Sequence, residues 1–390
     1  MRKSNYILWL PSWYPNKFEP YLGDFIQRHA QATSLFGLIT LIHFTQPGED
    51  VNQRETHEII TTSNQLKEIV SYLEFKPSGI KVLDKIRYNI KFYSHAKKYL
   101  TAYFKEFGLP RLVHVHVPMK AGNLALWIKK KYGIDFIVSE HSSYYLKEAP
   151  DNYYNRHFLY RQQVRTIFKN AIKVTNVSKS IGIIIANLFQ LKEVVTIHNV
   201  VNTDYFSFSE SKNDLFTYVH VSTLSDQKNI SGILRAFGKL NLIRQDWKLI
   251  LVGPHSQNLI KQVSDLHIQD RVEFAGEVQY NKVADFLKKS HVKVLFSKHE
   301  NFPCTIIEAL CCGLPVVTTN IAGIKEAVDN SNGILIPPND ENILLSSLIA
   351  IRTNYLNYDF ERISQSAIVK YSYSVIGKQI FNLYSSRSLS

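Results

Sequence analysis

Cysteine is scarce in this 390-residue chain: there are three, Cys304, Cys311 and Cys312, all in one short stretch. An odd number with no spread-out framework excludes a disulfide-stapled secreted fold and points to reduced thiols in a cytoplasmic chain. The spacing Cys-x6-Cys-Cys is no zinc-ligand pattern, and no bound metal is expected. Long apolar runs are missing too. None approaches the ~20 residues that a membrane-spanning helix needs. The apolar piece Tyr6 to Leu10 is too short for the core of a signal peptide and has no small-residue cleavage site; it reads as a first buried strand. Low-complexity tracts are absent. Acidic residues are short in one half only. Residues 1–200 hold 27 Lys and Arg against 15 Asp and Glu, whereas residues 201–390 hold 19 against 18. The net charge of +13 therefore sits almost wholly in the first half. That half is expected to meet something anionic: nucleic acid, a phospholipid surface or a phosphate-bearing substrate.

What is present is an ordinary globular composition, 45% hydrophobic and 20% charged. The length favours two domains over one core. Strand-like and helix-like segments alternate through the second half. "FTYVHVS" (216–222), "WKLILVG" (247–253), "RVEFAG", "VKVLFS" (292–297) and "PVVTTN" read as strands. "NISGILRAFGKLN", "SQNLIKQVSDL", "NKVADFLKKS" and "CTIIEALCCG" read as helices, the first with apolar residues at Ile230, Ile233, Leu234, Phe237 and Leu240. The first half repeats the theme: strands at "YILWL", "GLITLIHF", "LVHVHV", "DFIVSEH", "KVTNVS" and "VVTIHNVV", with helices at "GDFIQRHAQATSLFG" and "MKAGNLALWIKKKYG". Such repeats predict α/β domains with parallel sheets covered on both faces. Residues 198–214 lose periodicity and read as a linker between two doubly wound domains that face each other across a cleft.

One stretch carries chemistry: "KHENFPCTIIEALCCGLPVVTTN", residues 298–320. Glu300 follows a strand and sits in the loop at the carboxyl edge of the sheet, where ligands bind in such folds. Pro303 opens a helix, and Glu308 lies ~7 Å along its axis, at 1.5 Å per residue. First-turn amides of that helix favour anions, and carboxylates accept hydrogen bonds from hydroxyl pairs. The stretch fits a polyhydroxylated, anionic ligand.

This run resembles the Glu-x7-Glu motif of retaining glycosyltransferase family 4, usually E-G-F-P/G-x-x-x-x-E-A-M-A-C-G-x-P-V-V. "VSTLSDQKN", "LVGPHS", "RVEFAGEV", "AGIKEAVDNSNGILIPPND" and "IHNVVNTDYF" resemble further family segments in order and spacing. The likeness is strong over 195–340 and looser before. It implies a GT-B fold of two Rossmann-like domains: 1–200 on the acceptor side, 201–370 binding the nucleotide-sugar, and 371–390 a terminal helix crossing back. It also implies transfer of a hexose, with retention, from a UDP- or GDP-linked donor, with no cofactor. Glu300, Lys228 and His141 match the catalytic positions. Glu308 matches the Glu that binds the donor ribose. Gly23, Asn301, Phe302, Pro303, Thr305 and Gly276 complete the donor site by the same likeness. The acceptor is expected to be a saccharide or lipid-linked saccharide of bacterial surface polysaccharide or glycoconjugate synthesis.

Departures from the pattern matter. Thr223 stands where the family commonly has a second cation on the diphosphate, so Lys228 acts with the helix dipole alone or with another cation such as Arg235 or Lys325. "KVLDKIRYNIKFYSHAKKYL" (81–100) sets Leu83, Ile86, Ile90 and Tyr93 on one side of a helix rich in lysine. That is either a helix packed on its own domain or one that lies on an anionic membrane, which would make the protein peripheral on the inner face of the plasma membrane. Trp9, Trp13 and Tyr14 are candidates to stack on an acceptor sugar or to pack. Three other readings compete: a nucleic-acid-binding module, which would leave the two glutamates idle, a sugar-nucleotide epimerase of the same fold, and a relative that binds the nucleotide without turnover. The family reading expects no nucleic acid as partner.

Overall fold

The computed structural model describes residues 2–47 and 57–385; the last residues of the expected terminal helix, 386–390, lie outside them. The first sheet has eight strands. Its elements run β1 (Ile7–Pro11), α1 (Asp24–Ser34), β2 (Ile39–Thr45), β3 (His57–Ser63), β4 (Leu66–Tyr72), α2 (Lys81–Phe107) and β5 (Leu112–His116). They continue α3 (Ala121–Tyr132), β6 (Phe136–Glu140), α4 (Phe158–Asn170), β7 (Lys173–Asn176), α5 (Lys179–Phe189) and β8 (Val195–Thr196). Strand order is β3-β4-β2-β1-β5-β6-β7-β8. Only the β3–β4 pair is antiparallel; it is a hairpin that the strand–helix alternation does not announce.

The second sheet has six strands. Its elements are β9 (Phe216–Val221), α6 (Ile230–Ile243), β10 (Trp247–Val252), α7 (Gln257–Asp265), β11 (Val272–Gly276) and α8 (Tyr280–Lys289). Then come β12 (Val292–Leu295), α9 (Cys304–Cys311), β13 (Val316–Thr319), β14 (Gly333–Ile336), α10 (Glu341–Thr353), α11 (Phe360–Tyr371) and α12 (Tyr373–Ser385). Strand order is β11-β10-β9-β12-β13-β14, all parallel.

Each sheet is buried on both faces, which is why its strands are nearly continuous apolar runs. Successive side chains of a strand point to opposite faces. Thus Leu8 and Leu10 join one core with α2 and α3 residues, while Ile7 and Trp9 join the other with α1 and α12. In the second domain Tyr218, Leu249 and Val294 pack toward α6 and α10, and Val219, Ile250 and Leu295 toward α8 and α9. This places Lys293, in phase with Leu295, on the α9 side.

α12 belongs in space to the first domain. Gly377 lies so close to α1 that a Cβ would stand 2.1 Å from the Ala32 carbonyl oxygen. Tyr384 Oη accepts from Trp9 Nε1 at 3.0 Å and meets His114 Nδ1 at 2.7 Å. Trp9 and Tyr14 are fully buried in this core, and the Tyr14 hydroxyl donates to Glu68 at 2.5 Å. These two rings pack and cannot stack on an acceptor.

Candidate functional site

In a doubly wound sheet, the crevice opens where neighbouring strands send their chains to opposite sides. In the second domain that point is between β9 and β12. The loops after these two strands carry Lys228 and Glu300, and the structure brings them together: Lys228 Nζ donates to Glu300 Oε1 at 2.5 Å. Two further bonds lock the loops. Lys298 N donates to the Gln227 carbonyl at 2.8 Å, and Gln227 Nε2 to the His299 carbonyl at 2.8 Å. Asn229 follows in a left-handed conformation, φ 51°, and its side chain caps α6 through Gly232 N. An ammonium has three N–H donors, so the pairing with Glu300 leaves two for an anion.

α9 starts beside this pair. Pro303 is its N-cap and no side chain caps its first turn, so the amides of Cys304 and Thr305 face the crevice with the positive end of the helix. Glu308 lies one turn in and is 3% exposed. Burial pushes its carboxyl above the usual range, while the Arg28 and Lys293 charges pull the other way. Gly276 ends β11 at φ 71°, with open space where a Cβ would stand.

The first domain contributes Gly23 and His141. Gly23 is the N-cap of α1 at φ 69°, and a Cβ there would stand 2.7 Å from the backbone of Trp13. Both the left-handed backbone and this close approach demand glycine. His141 follows β6. Its Nε2 lies 3.0 Å from His116 Nδ1, and the rings of His29, His114, His116 and His141 form a contiguous cluster. Burial first, and mutual repulsion second, holds His116 and His141 well below the usual histidine range. His141 therefore offers a neutral ring.

The motif loop also ties the two domains. Asn301 Oδ1 accepts from Ser178 Oγ at 2.6 Å, and its Nδ2 donates to the carbonyls of His141 and Ser142 at 3.1 and 3.2 Å. Its carbonyl takes Gly323 N at 3.1 Å. Phe302 stacks on His198 at 4.3 Å, and its carbonyl accepts from Asn199 Nδ2 at 2.6 Å. The side chains of Asn301 and Phe302 are thus spent on the other domain.

The two cations expected to make up for the one missing at Thr223 are Arg235 and Lys325. Thr223 is exposed. Arg235 is held by Glu341 of α10 through bonds of 2.6 and 3.1 Å, and Lys325 is exposed. Two cations that pattern reading passes over act on the Glu308 carboxyl. Lys293 is wholly buried under α9 with its Nζ 3.4 Å from the Val221 carbonyl. Arg28 of α1 lies over the Tyr280 ring, 4.3 Å from its centre. Both look like ordinary solvated charges in sequence, and only the fold places them.

The family model described as Glycosyltransferase Family 4 matches residues 60–205, and that described as Glycosyl transferases group 1 matches residues 202–362. The N-acetyl-alpha-D-glucosaminyl L-malate synthase of Bacillus anthracis is 31% identical over 155 residues, covering 36% of this chain and 39% of that protein. The O-antigen chain mannosyltransferase RfbU of Salmonella typhimurium is 26% identical over 232 residues, covering 55% of this chain and 64% of that protein. The chain thus spans about two fifths of the first of these relatives, at 39%. Among solved structures, the sucrose-phosphate synthase of Thermosynechococcus elongatus aligns with TM-score 0.77 at 16% identity, covering 98% of each chain. Anabaena HepE in complex with UDP aligns with TM-score 0.73 at 18% identity, covering 98% of this chain and 100% of that one. At these identities the structural likeness establishes the fold, which is the two-domain GT-B architecture. With two adjoining family models matching most of its length, the chain belongs to the glycosyltransferases of family 4, group 1.

Proposed function

We propose that the protein is a retaining hexosyltransferase that moves a sugar from a UDP- or GDP-linked donor to a saccharide acceptor. The observation that carries this is the meeting, at one switch point, of the Lys228–Glu300 pair, the uncapped first turn of α9 and the buried Glu308. A diphosphate suits the ammonium and the helix amides, and ribose hydroxyls suit the carboxylate.

In this reading the bond from the anomeric carbon to the donor phosphate oxygen breaks, and a bond to the acceptor oxygen forms on the same face. The acceptor proton passes to the departing phosphate oxygen. Charge builds on the leaving diphosphate, so Lys228 and the α9 amides contribute most of the stabilisation. Glu300 orients Lys228 and stands beside the sugar. The neutral His141 ring serves as a hydrogen-bonding partner for the sugar. Its carbonyl is already fixed by Asn301.

The acceptor reading draws on relatives. The names of RfbU and of the Bacillus anthracis synthase tie those proteins to O-antigen chains and to a glucosaminyl malate. We place this protein in bacterial surface polysaccharide or glycoconjugate synthesis, with a lipid-linked acceptor at the inner face of the plasma membrane. No helix among the described residues is long and apolar enough to cross a membrane. The exposed apolar, lysine-rich start of α2 supports peripheral contact instead.

The test is thermal-shift screening with UDP, GDP, ADP and their sugars, followed by kinetics with the stabilising donor. Glu308→Ala is expected to weaken donor binding about tenfold or more, by losing charged hydrogen bonds worth about 1.5–3 kcal/mol. Lys228→Ala is expected to lower kcat by roughly 10²-fold while sparing nucleoside binding. Unchanged kinetics in both variants would remove the site as drawn.

A further inference from the structure

Arg28 rises from the second turn of α1, in the first domain, and ends on the second. It is 6% exposed. Its guanidinium carbon stands 4.3 Å from the centre of the Tyr280 ring, at the start of α8. Nη1 donates to Asp24 Oδ2, one turn back, at 2.6 Å. Nε is buried and has no hydrogen-bond partner among the described residues. The charge also acts on Cys304, the first residue of α9, and on Glu308. A fixed cation therefore stands at the uncapped N-terminus of α9, and it comes from the opposite domain.

A simple latch between domains would need only the stacking on Tyr280. It would not explain why a guanidinium with five donors is buried with an N–H left over, since an unsatisfied buried donor is costly. The planar fork suits phosphate oxygens. On the second domain the place for such a cation is empty of charge, because Thr223 holds it. We propose that Arg28, reaching across the cleft, is the second cation on the donor diphosphate, so that binding of the diphosphate and contact between the domains are one event. Asp24 holds the guanidinium in place and competes with the phosphate for it. The inference rests on the nucleotide-sugar reading above.

The experiment titrates UDP, GDP, uridine and guanosine into the full chain and into Arg28→Gln, Arg28→Lys and Asp24→Asn. For the nucleotide that binds, Arg28→Gln is expected to weaken the diphosphate at least tenfold and the matching nucleoside less than twofold. Arg28→Lys should fall between, because a point charge replaces the fork. Asp24→Asn should bind the diphosphate more tightly than the natural chain, and it decides the matter with Arg28→Lys should Arg28→Gln not fold. Equal losses for diphosphate and nucleoside, or no loss for either, would overturn the proposal, as would weaker diphosphate binding in Asp24→Asn. If the natural chain binds a nucleotide, a failure falls on Arg28 alone. If it binds neither, the donor reading falls and this inference with it.

Discussion

Lys293 shows how one buried charge couples the site to the fold. Its side chain is fully buried, with a single long hydrogen bond to the Val221 carbonyl. Burial pulls its pKa down to about 7, against a partial restoring effect of Glu308. Lys228 also lowers it and Glu300 raises it. Unfolded, the same amine titrates near its ordinary value of 10.5. Below about pH 7 both states are protonated and the folded chain bears the full cost of a buried ammonium. Between about 7 and 10.5 the unfolded chain binds the extra proton, so stability rises with pH. Lys293→Met is accordingly expected to stabilise the protein most below pH 7, by on the order of 3–5 kcal/mol. The gain should shrink as pH rises toward 10, measured by denaturant unfolding. A gain that does not change with pH would contradict this account. At this scale the sequence speaks unevenly. Glu300, Glu308 and Lys228 stand in turn and helix-start contexts that mark them. Arg28, in "GDFIQRHAQAT", reads as part of a polar helix face, and Lys293, in "VKVLFS", as a lone charge in a strand. Their roles come from partners over two hundred residues away in sequence, for Arg28, or on a neighbouring strand, for Lys293.

α2 makes the clearest case among the elements. It has 27 residues, about 40 Å of helix at 1.5 Å per residue. Its first buried residue is Phe92. The turns before it expose Val82 at 73%, Leu83 at 45%, Ile86 at 54% and Ile90 at 67%, beside Lys81, Lys85 and Arg87. Apolar side chains flanked by cations are what an interfacial helix presents to anionic lipid. Ile86→Ser with Ile90→Ser is expected to reduce co-sedimentation with phosphatidylglycerol vesicles about tenfold or more, each lost side chain removing roughly 1.5–3 kcal/mol of burial. Its thermal stability should be unchanged, because these residues touch no core. Undiminished sedimentation would assign the face to something else. The helix itself was legible from its apolar spacing, as were the alternating strands and helices of the second domain from β9 to β13. The β3–β4 hairpin was not, because its turn lacks the Asn-Gly signal. Nor was α5, whose isoleucine run has a strand-like composition. There the cap decides: Ser178 accepts from Ile181 N at 3.3 Å, and Glu326 of the other domain takes the amides of Lys179 and Ser180 at 2.8 Å.

For the whole molecule, the contacts between the two domains are specific. Glu326 on the α5 amides, Asn301 on Ser178 and Arg28 on Tyr280 all join one domain to the other around the same crevice. α12 adds a further tie, since Tyr373 Oη donates to Gln31 of α1 at 2.9 Å. Motif order in the sequence was enough to expect two facing domains. Which side chains meet across the cleft was not legible, because that depends on how two separately folded sheets dock. The most direct measurement is a crystal structure of the protein soaked with UDP or GDP, whichever stabilises it. The account predicts the ribose hydroxyls on the Glu308 carboxylate and the diphosphate over the first turn of α9, between Lys228 and Arg28. A nucleotide bound elsewhere, or bound there with Glu308 and Lys228 turned away from it, would contradict it.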